Sequence, residues 1–326
     1  MNYQNTIKYV SGGFLGMLLL SGCMDSIDKD NPPIPYPSIG GYENSDEVAS
    51  SNLISKLSFE NNLLDEKSSI SGAVSTKVGY AEGIKGMAYS GSSTESRYAI
   101  GQASSAVTGL NDFTISFWMK SNNTVTPDPP GIGKGAQGIF SIVRPAEFWG
   151  GINLFIENPD SSKPDRIRLK LGVENGRSGV NWKGQSVIAN LDGYKGKWVH
   201  VAFVYNSKES RCYVYQDGEP AKNLEGFAYS PAGGTLSGYA SWFSDDPGGI
   251  DNPKGIAGYG ALEMVGTNGQ VVLGTHQFET LPPLNNGSHQ DWAASYAGQL
   301  DEFRLYNAAL APADIIALYK LEKDGR

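Results

Sequence analysis

The stretch from Lys197 to Gly218 is KWVHVAFVYNSKESRCYVYQDG, and it predicts two β-strands joined as a hairpin. From Trp198 to Tyr205 nearly every residue is β-branched or aromatic, and these types fit a pleated, half-buried surface. Side chains alternate between the two faces of a strand, yet neither face here is strongly polar. Asp217-Gly218 adds a turn signal, because glycine adopts positive φ without steric cost. We therefore expect this hairpin to lie between two layers of a β-sandwich.

The composition of the chain favours many short strands joined by glycine-rich turns. Of 326 residues, 41 are glycine and only 18% are charged, which is low for a helical protein. The net charge of −8 argues against a nucleic-acid partner, because phosphate binding requires a basic face. These values predict a β protein with one large domain or two small ones.

The N-terminus resembles a bacterial lipoprotein signal. Phe14 to Leu20 is an apolar run too short to span a bilayer, and Leu20-Ser21-Gly22-Cys23 resembles the lipobox. The acidic residues that follow resemble the export tag of Bacteroidetes surface lipoproteins. These resemblances imply a signal peptide at residues 1–22, a lipid on Cys23 and a tether at residues 23–51. The implied location is the outer membrane, at the cell surface or, as the alternative, on the periplasmic face.

Residues 52–326 are predicted to form the globular domain. Asp112 to Lys120 is a clear strand, and Pro312 to Leu321 is predicted to be a short C-terminal helix with an apolar stripe. Three segments are predicted to be long or irregular loops: Asn122–Gly138, Gly176–Leu191 and Asn223–Gly269. Loops of this length in a compact domain are commonly functional.

Four segments resemble strands of laminin-G-like domains, in the same order as in that family. They are FTISFW at 113–118, WVHVAFVY at 198–205, YVYQDG at 213–218 and LDEFRLYNAAL at 300–310. The resemblance covers about Leu53 to Leu321. It implies an all-β, concanavalin A-like jelly roll, in which two antiparallel sheets pack face to face beside a short C-terminal helix. The family includes lectins, adhesins and enzymes, so its fold does not settle the function.

The catalytic patterns of enzymes with this fold are not found in the sequence. Retaining glycoside hydrolases of the fold carry Glu-x-Asp-x-Glu on one strand, and this triplet does not occur here. The three histidines form no HExxH pattern, and there is no G-x-S-x-G elbow. We therefore expect a protein that is not an enzyme, with a glycoside hydrolase as the less favoured alternative.

Asp301 is the candidate for a metal ligand. Simple alternation places it on the same strand face as Phe303 and Leu305, where a carboxylate needs a hydrogen-bonding partner or a metal. In laminin-G-like domains this part of the last strand lies near the turn after the first strand. The resemblance thus makes Glu60 and Asp301 candidate ligands of a structural Ca²⁺. The alternative is an Asp301 that accepts hydrogen bonds from backbone amides or pairs with an arginine.

Aromatic residues in the predicted loops suggest a carbohydrate site. Sugar rings stack their C–H faces on flat side chains, and their hydroxyls bind nearby polar groups. The candidate ligand-binding residues are Trp149, Trp182, Tyr239, Trp242, Phe243, Asp245 and Trp292. The alternative for each tryptophan is that it only anchors a loop on the scaffold.

Together these features predict a non-catalytic, surface-anchored lipoprotein that binds polysaccharide or oligosaccharide. An association with outer-membrane uptake proteins is implied by the resemblance alone. The alternative is a surface adhesin or assembly protein whose loop aromatics bind a protein partner.

Overall fold

The computed structural model describes residues 36–122, 131–132, 135–160, 162–176, 184–227, 235–244 and 257–326. The chain divides into two units, Met1–Pro37 and Ser38–Arg326. Only the last two residues of the first unit are described, so the predicted signal peptide and Cys23 lie outside the described residues. Among the described residues, no helix has both the length and the apolar character needed to span a bilayer.

The secondary structure of the described residues is almost entirely β. The strands are β1 Leu53–Leu57, β2 Ile70–Thr76, β3 Gly79–Glu82, β4 Met87–Ser90, β5 Tyr98–Ala103, β6 Phe113–Lys120, β7 Gly131–Ile132, β8 Ala136–Ile142, β9 Ile152–Ile156, β10 Arg166–Glu174, β11 Gly184–Asp192, β12 Trp198–Asn206, β13 Arg211–Gln216, β14 Glu219–Pro220, β15 Leu224–Phe227, β16 Thr235–Ser237, β17 Ala240–Trp242, β18 Gln270–Leu273, β19 Ala293–Ser295 and β20 Gln299–Tyr306. The helices are a 3₁₀ turn at Ser45–Glu47, α1 at Ser105–Thr108 and α2 at Pro312–Lys323.

The strands form two sheets. Sheet I has the order β16-β17-β13-β12-β6-β20-β4-β3, with β1 paired to β20 and β14 to β13. Sheet II has the order β15-β11-β10-β9-β8-β18-β5-β2, and the short β19 pairs in parallel with β7 and β8. All other pairs are antiparallel, and apolar side chains from both sheets meet in one core. The predicted two-sheet antiparallel jelly roll with a short C-terminal helix is confirmed.

The β12–β13 hairpin lies in the middle of sheet I, and both of its faces are covered. Val201, Phe203 and Tyr205 point into the core between the sheets. Ala202 and Val204 point the other way and pack with residues of α2. This explains why neither face of the hairpin is polar, and it means that α2 covers part of the outer surface of sheet I.

Gly176–Leu191 is not an irregular insertion throughout, which corrects the prediction from sequence. Residues 184–192 form strand β11, which pairs with β10 along its whole length. Nearly all of β11 is buried, and its Val187-Ile188-Ala189 run is apolar on both faces. A strand buried on both faces lacks the alternation that marks a half-exposed strand, so its pattern was not recognised.

Candidate functional site

The outer face of sheet II carries polar side chains that β10 presents in alternation. Ile167, Leu169, Leu171 and Val173 belong to the core. The intervening residues, Arg166, Arg168, Lys170, Gly172 and Glu174, therefore lie on the outer face. Among the described residues no helix like α2 packs on this face, and Arg166, Lys170 and Glu174 are nevertheless buried.

A small depression, with a cavity volume of about 30 Å³, lies on this outer face. It is lined by Trp149, Asn153, Phe155, Lys170, Gly172, Glu174, Gly184, Gln185 and Ser186. We call it the sheet II pocket. Three adjacent strands supply its floor, because Gly172 of β10 lies between Asn153 of β9 and Ser186 of β11.

The pocket is open because residue 172 is a glycine. Among the described residues, a Cβ atom built on Gly172 meets only Asn153, at 3.9 Å. The backbone of Gly172 is also not in the left-handed region, so a β-branched side chain is compatible with its conformation. The pocket therefore exists because residue 172 has no side chain, although the backbone conformation at this position does not require glycine.

One wall of the pocket is aromatic. The Trp149 ring is stacked on Phe155, with centroids 5.4 Å apart and planes at 13°. Behind them lie four further rings, Phe148, His276, Phe278 and Trp292, and Trp292 is 6.0 Å from Trp149. We call these six residues the aromatic ridge. Trp149 is only partly buried, so it offers a flat surface at the edge of the pocket.

His276 serves the packing of the aromatic ridge. Its ring is stacked on Phe278 at 4.8 Å, and it lies 3.3 Å from the carbonyl oxygen of Ala136 through Nε2. Burial lowers the pKa of His276 to about 4, so the imidazole is neutral at pH 7. A neutral ring with Nε2–H donating to Ala136 can pack among aromatic side chains without the cost of a buried charge.

The remaining wall of the pocket is polar and contains charges of both signs. Lys170 Nζ is 3.1 Å from Glu157 Oε2 and 5.4 Å from the centroid of Phe155, and burial lowers its pKa. Glu174 Oε2 is 3.9 Å from Arg144 Nη1. Ser186 is 3% exposed, and its hydroxyl is shielded from solvent and has no hydrogen-bond partner among the described residues. An unpaired buried hydroxyl is costly, and a ligand group in the pocket would remove that cost.

The structure separates the predicted ligand-binding residues. Trp149 and Trp292 come together in the aromatic ridge on sheet II. Tyr239 lies on sheet I, 5.3 Å from both Tyr213 and Tyr215.

Two further candidates also belong to the sheet I side. Trp242 ends β17, which lies between β16 and β13 in sheet I, and it is paired with Thr235 and Arg211. Phe243 is fully buried and stacked on Tyr205, so it contributes to the core between the sheets. Trp182 and Asp245 lie outside the described residues.

Several residues of the pocket were missed from the sequence because they are in strands and not in loops. Phe155, Lys170, Gly172, Glu174 and Ser186 were not proposed. The signal that could have found them is the RIRLKLGVE pattern of β10, in which charged residues and one glycine occupy the face opposite four aliphatic residues.

Glu60 and Asp301 are brought to the same hairpin turn, between β3 and β4. Asp301 Oδ2 accepts hydrogen bonds from the backbone N–H groups of Ile84 and Lys85, at 2.8 and 3.1 Å. Glu60 Oε2 accepts one from the N–H of Met87 at 3.1 Å. In the described residues no group of three or more His, Cys, Asp or Glu side chains is placed to hold a metal. The alternative in which Asp301 binds backbone amides is therefore the arrangement seen.

The strand face of Asp301 differs from the prediction. A β-bulge between Asp301 and Arg304, with Glu302 at φ 46°, adds one residue to β20. As a result Leu300 and Phe303 both face the core, and Asp301 lies opposite Trp118. A bulge breaks the alternation on which the prediction relied.

Comparison with known proteins agrees with this fold. Residues 93–252 match the family model described as the concanavalin A-like lectin/glucanases superfamily, of the laminin-G type. The matched segment contains 160 of the 326 residues and extends from β5 to β17. No curated protein matches the chain.

Two solved structures are similar at low sequence identity. One is the binding domain of Paraclostridial Mosquitocidal Protein 1, with a TM-score of 0.51 and 14% identity over 82% of this chain and 52% of that chain. The other is the binding domain of botulinum neurotoxin serotype C1, with a TM-score of 0.50 and 15% identity over 85% of this chain and 53% of that chain. This chain spans about half the length of each. The likeness extends to the fold alone.

Proposed function

We propose that this protein binds carbohydrate without cleaving it, and that a polysaccharide or oligosaccharide chain binds at the sheet II pocket with one ring substituent inside it. The observation that supports the proposal most is the glycine-floored depression beside the partly exposed ring of Trp149. Aromatic surface next to a few converging polar groups is the usual composition of a small-molecule site.

Each part of the pocket has a role in binding a sugar. The Trp149 face stacks on the C–H face of a sugar ring, as flat side chains do. Ser186, Lys170 and Glu174 supply a hydroxyl, a donor and an acceptor for the sugar hydroxyls. Gly172 leaves room for one ring substituent to enter between them.

Paired tryptophan substitutions test the proposal. Trp149→Ala removes the stacking surface, so we expect the affinity for a bound polysaccharide to fall at least about tenfold, which corresponds to about 1.4 kcal/mol. Trp242→Ala, on sheet I, is the matched control and is expected to leave affinity unchanged. The measurement is isothermal titration against a panel of soluble polysaccharides, followed by the same titration with each variant.

Three results would contradict the proposed site, the proposed ligand class or the lack of catalysis. Binding that depends on Trp242 and not on Trp149 places the ligand on the other sheet. If no polysaccharide in the panel binds, the carbohydrate proposal fails and the protein-binding adhesin becomes the better reading. Reducing ends released during long incubation with a bound polysaccharide contradict the non-catalytic part.

The proposed location follows from the sequence of the N-terminus. We place the protein at the outer membrane through a lipid on Cys23, on the cell surface and beside an uptake system for glycans. Two or three acyl chains are needed for firm anchoring. Mass spectrometry of the protein purified from membranes checks this, because an N-terminal peptide that begins at an unmodified Met1 contradicts cleavage and lipidation.

A further inference from the structure

A second and much larger cavity adjoins the aromatic ridge. It has a volume of about 450 Å³, within the roughly 300–1,000 Å³ that is usual for small-molecule sites. The sheet II pocket, at about 30 Å³, has space for about one or two water molecules. The larger cavity lies between Thr76 at the end of β2, Tyr98 at the start of β5 and the loop at residues 278–289. We call it the loop cavity.

The aromatic ridge lies between the loop cavity and the sheet II pocket. Phe278 lines the loop cavity, Trp149 lines the sheet II pocket, and the centroids of these two rings are 5.7 Å apart. The two cavities share no lining residue, yet only these packed rings separate them. A chain molecule stacked on the exposed part of Trp149 can therefore reach both cavities.

The loop that forms the cavity also holds the segment that carries Trp149. Gln277 Nε2 donates hydrogen bonds to the carbonyl oxygens of Glu147 and Phe148, at 2.9 and 3.0 Å. Asn285 Nδ2 donates to the same Glu147 oxygen at 2.8 Å. These carbonyl groups directly precede Trp149, so the loop cavity and the Trp149 ring are fixed relative to each other. A ligand that contacts both then has less to order when it binds.

One wall of the loop cavity offers a hydrogen-bonding imidazole. His289 Nδ1 is 2.6 Å from Glu279 Oε2, and Glu279 Oε1 accepts a hydrogen bond from the N–H of Gln290 at 2.8 Å. The Glu279 side chain is only 5% exposed, whereas that of His289 is 47% exposed. Within the part of the chain that the structure describes, Nε2 of His289 makes no hydrogen bond. The carboxylate thus orients the ring and leaves Nε2 for a ligand hydroxyl, which it can bind in either protonation state.

The opposite wall of the loop cavity is apolar. Leu281 is 87% exposed, and its backbone N–H donates to the hydroxyl of Tyr98 at 3.0 Å. Pro283 beside it is also exposed. One exposed leucine is ordinary on a protein surface, but here it faces a cavity that also contains a hydrogen-bonding group. Apolar surface beside a few polar groups matches a sugar ring, which has C–H faces and hydroxyl edges.

We infer that the loop cavity is a second sugar subsite, and that one oligosaccharide segment crosses the aromatic ridge with one residue at Trp149 and another against Leu281 and His289. This inference rests on the proposed carbohydrate function and adds a second subsite and a ligand longer than one sugar. Its basis is the size of the loop cavity, its contact with the aromatic ridge and the available Nε2 of His289.

Oligosaccharides of graded length test the inference. The probes are gluco-, xylo-, manno- and galacto-oligosaccharides, each from disaccharide to hexasaccharide, and isothermal titration gives the affinity of each. In a series that binds, we expect the hexasaccharide to bind at least about tenfold more tightly than the disaccharide, because only the longer chain occupies both subsites.

Substitutions in the loop cavity should remove this gain. Leu281→Ala and His289→Ala are each expected to weaken hexasaccharide binding at least about fivefold and to leave disaccharide binding at Trp149 unchanged. Leu281→Ala breaks no hydrogen bond, since only its backbone N–H is bonded to Tyr98, so it tests the cavity even if His289→Ala disturbs the loop. Leu236→Ala, which truncates a 42% exposed leucine of β16 in sheet I, is the matched control. Melting temperatures check that each variant is folded.

The outcomes separate the inference from the proposed function. If Trp149→Ala weakens hexasaccharide binding but folded Leu281→Ala and His289→Ala do not, the inference is overturned and the site at Trp149 stands. A hexasaccharide that binds no more tightly than the disaccharide also overturns it, as does an equal loss for both lengths in Leu281→Ala, because the loop cavity is then not a separate subsite. If neither the oligosaccharides nor the polysaccharide panel binds, the proposed function and the inference both fail.

Discussion

Asp301 is a buried carboxylate held by backbone N–H groups. It accepts hydrogen bonds from Ile84, Lys85 and Glu302 at 2.8, 3.1 and 2.8 Å. Burial nevertheless raises its pKa to about 7, because the charged form loses its hydration; the backbone hydrogen bonds act in the opposite direction. The side chain of Asp301 therefore connects the β3–β4 turn to β20, and its raised pKa makes the stability of the folded protein depend on pH.

Asp301→Asn is expected to change how stability depends on pH. In the unfolded chain the carboxyl has its ordinary pKa of 3.8, and in the folded protein the pKa is about 7. Between these values the folded protein holds a proton that the unfolded chain releases. The Asp301 contribution to the free energy of unfolding is therefore complete below pH 3.8 and falls as pH rises, by up to about 1.4 kcal/mol per pH unit.

Asparagine does not titrate, so the stability of Asp301→Asn relative to the wild type should increase from pH 4.5 to 7.5. Urea unfolding at each pH measures this, with the exposed Asp324→Asn as control. Parallel stability profiles of Asp301→Asn and wild type contradict the raised pKa.

The same variant tests the prediction from sequence that Glu60 and Asp301 bind Ca²⁺. A Ca²⁺ ion bound by Glu60 and Asp301 stabilises the folded state by mass action, because only the folded chain forms the site. We then expect added calcium to raise the melting temperature of the wild type at pH 7.5 and to leave Asp301→Asn unchanged. Equal melting temperatures of the wild type in calcium and in a chelator argue against the ion.

Helix α2 is attached to sheet I by a buried group of charges. Arg304 of β20 is fully buried, and its Nε lies 2.7 Å from Glu322 Oε1 near the end of α2. Its other nitrogens reach Glu302 Oε2 at 2.6 Å and Asp46 Oδ1 at 2.7 Å. Glu322 Oε2 also accepts a hydrogen bond from Trp118 Nε1 at 2.8 Å. The helix is therefore held by specific polar contacts in addition to its apolar stripe.

Glu322→Gln is expected to destabilise the protein by about 2 kcal/mol, because it weakens a charge-assisted hydrogen bond to Arg304 while Glu302 and Asp46 still pair with that guanidinium. Lys320→Gln, on the exposed side of the same helix, is the control and should leave the denaturation midpoint unchanged. Guanidinium unfolding followed by tryptophan fluorescence measures both. A loss below about 1 kcal/mol, the value typical of exposed pairs, contradicts the assignment of a stabilising role to this contact.

The elements that the sequence predicted well are those with a strong local pattern. The β12–β13 hairpin, β6, β20 and α2 combine apolar residues with clear turn or capping signals. Strand β2 was missed because its residues, Ile70 to Thr76, are small or polar and mostly exposed at the edge of sheet II. A local sequence pattern does not identify an edge strand whose side chains are mostly exposed.

The sequence predicted only part of the sheet II pocket, because the pocket depends on how distant strands pair. The sequence identified Trp149 and Trp292 as candidates, and the fold brings their rings to 6.0 Å. It could not show that Tyr239 and Trp242 belong to sheet I, because that depends on β17 pairing with β13. It also could not show that Asn153, Gly172 and Ser186 are neighbours, because the register between three strands decides it. Sequence periodicity predicts which side chains share one face of a strand, but it does not predict which strands pair or in which register.

Filling the sheet II pocket tests whether a carbohydrate binds there. In Gly172→Val the new Cβ atom lies no closer than 3.9 Å to any described residue, and its two methyl groups extend into the pocket. Ser237→Val adds a similar side chain to an exposed strand of sheet I and serves as the control. The measurement is the dissociation constant of each variant for the polysaccharide that the wild type binds. We expect the affinity of Gly172→Val to fall at least about tenfold, the affinity of Ser237→Val to stay unchanged, and the melting temperatures of both variants to equal that of the wild type. A folded Gly172→Val that binds with wild-type affinity would contradict binding at this pocket.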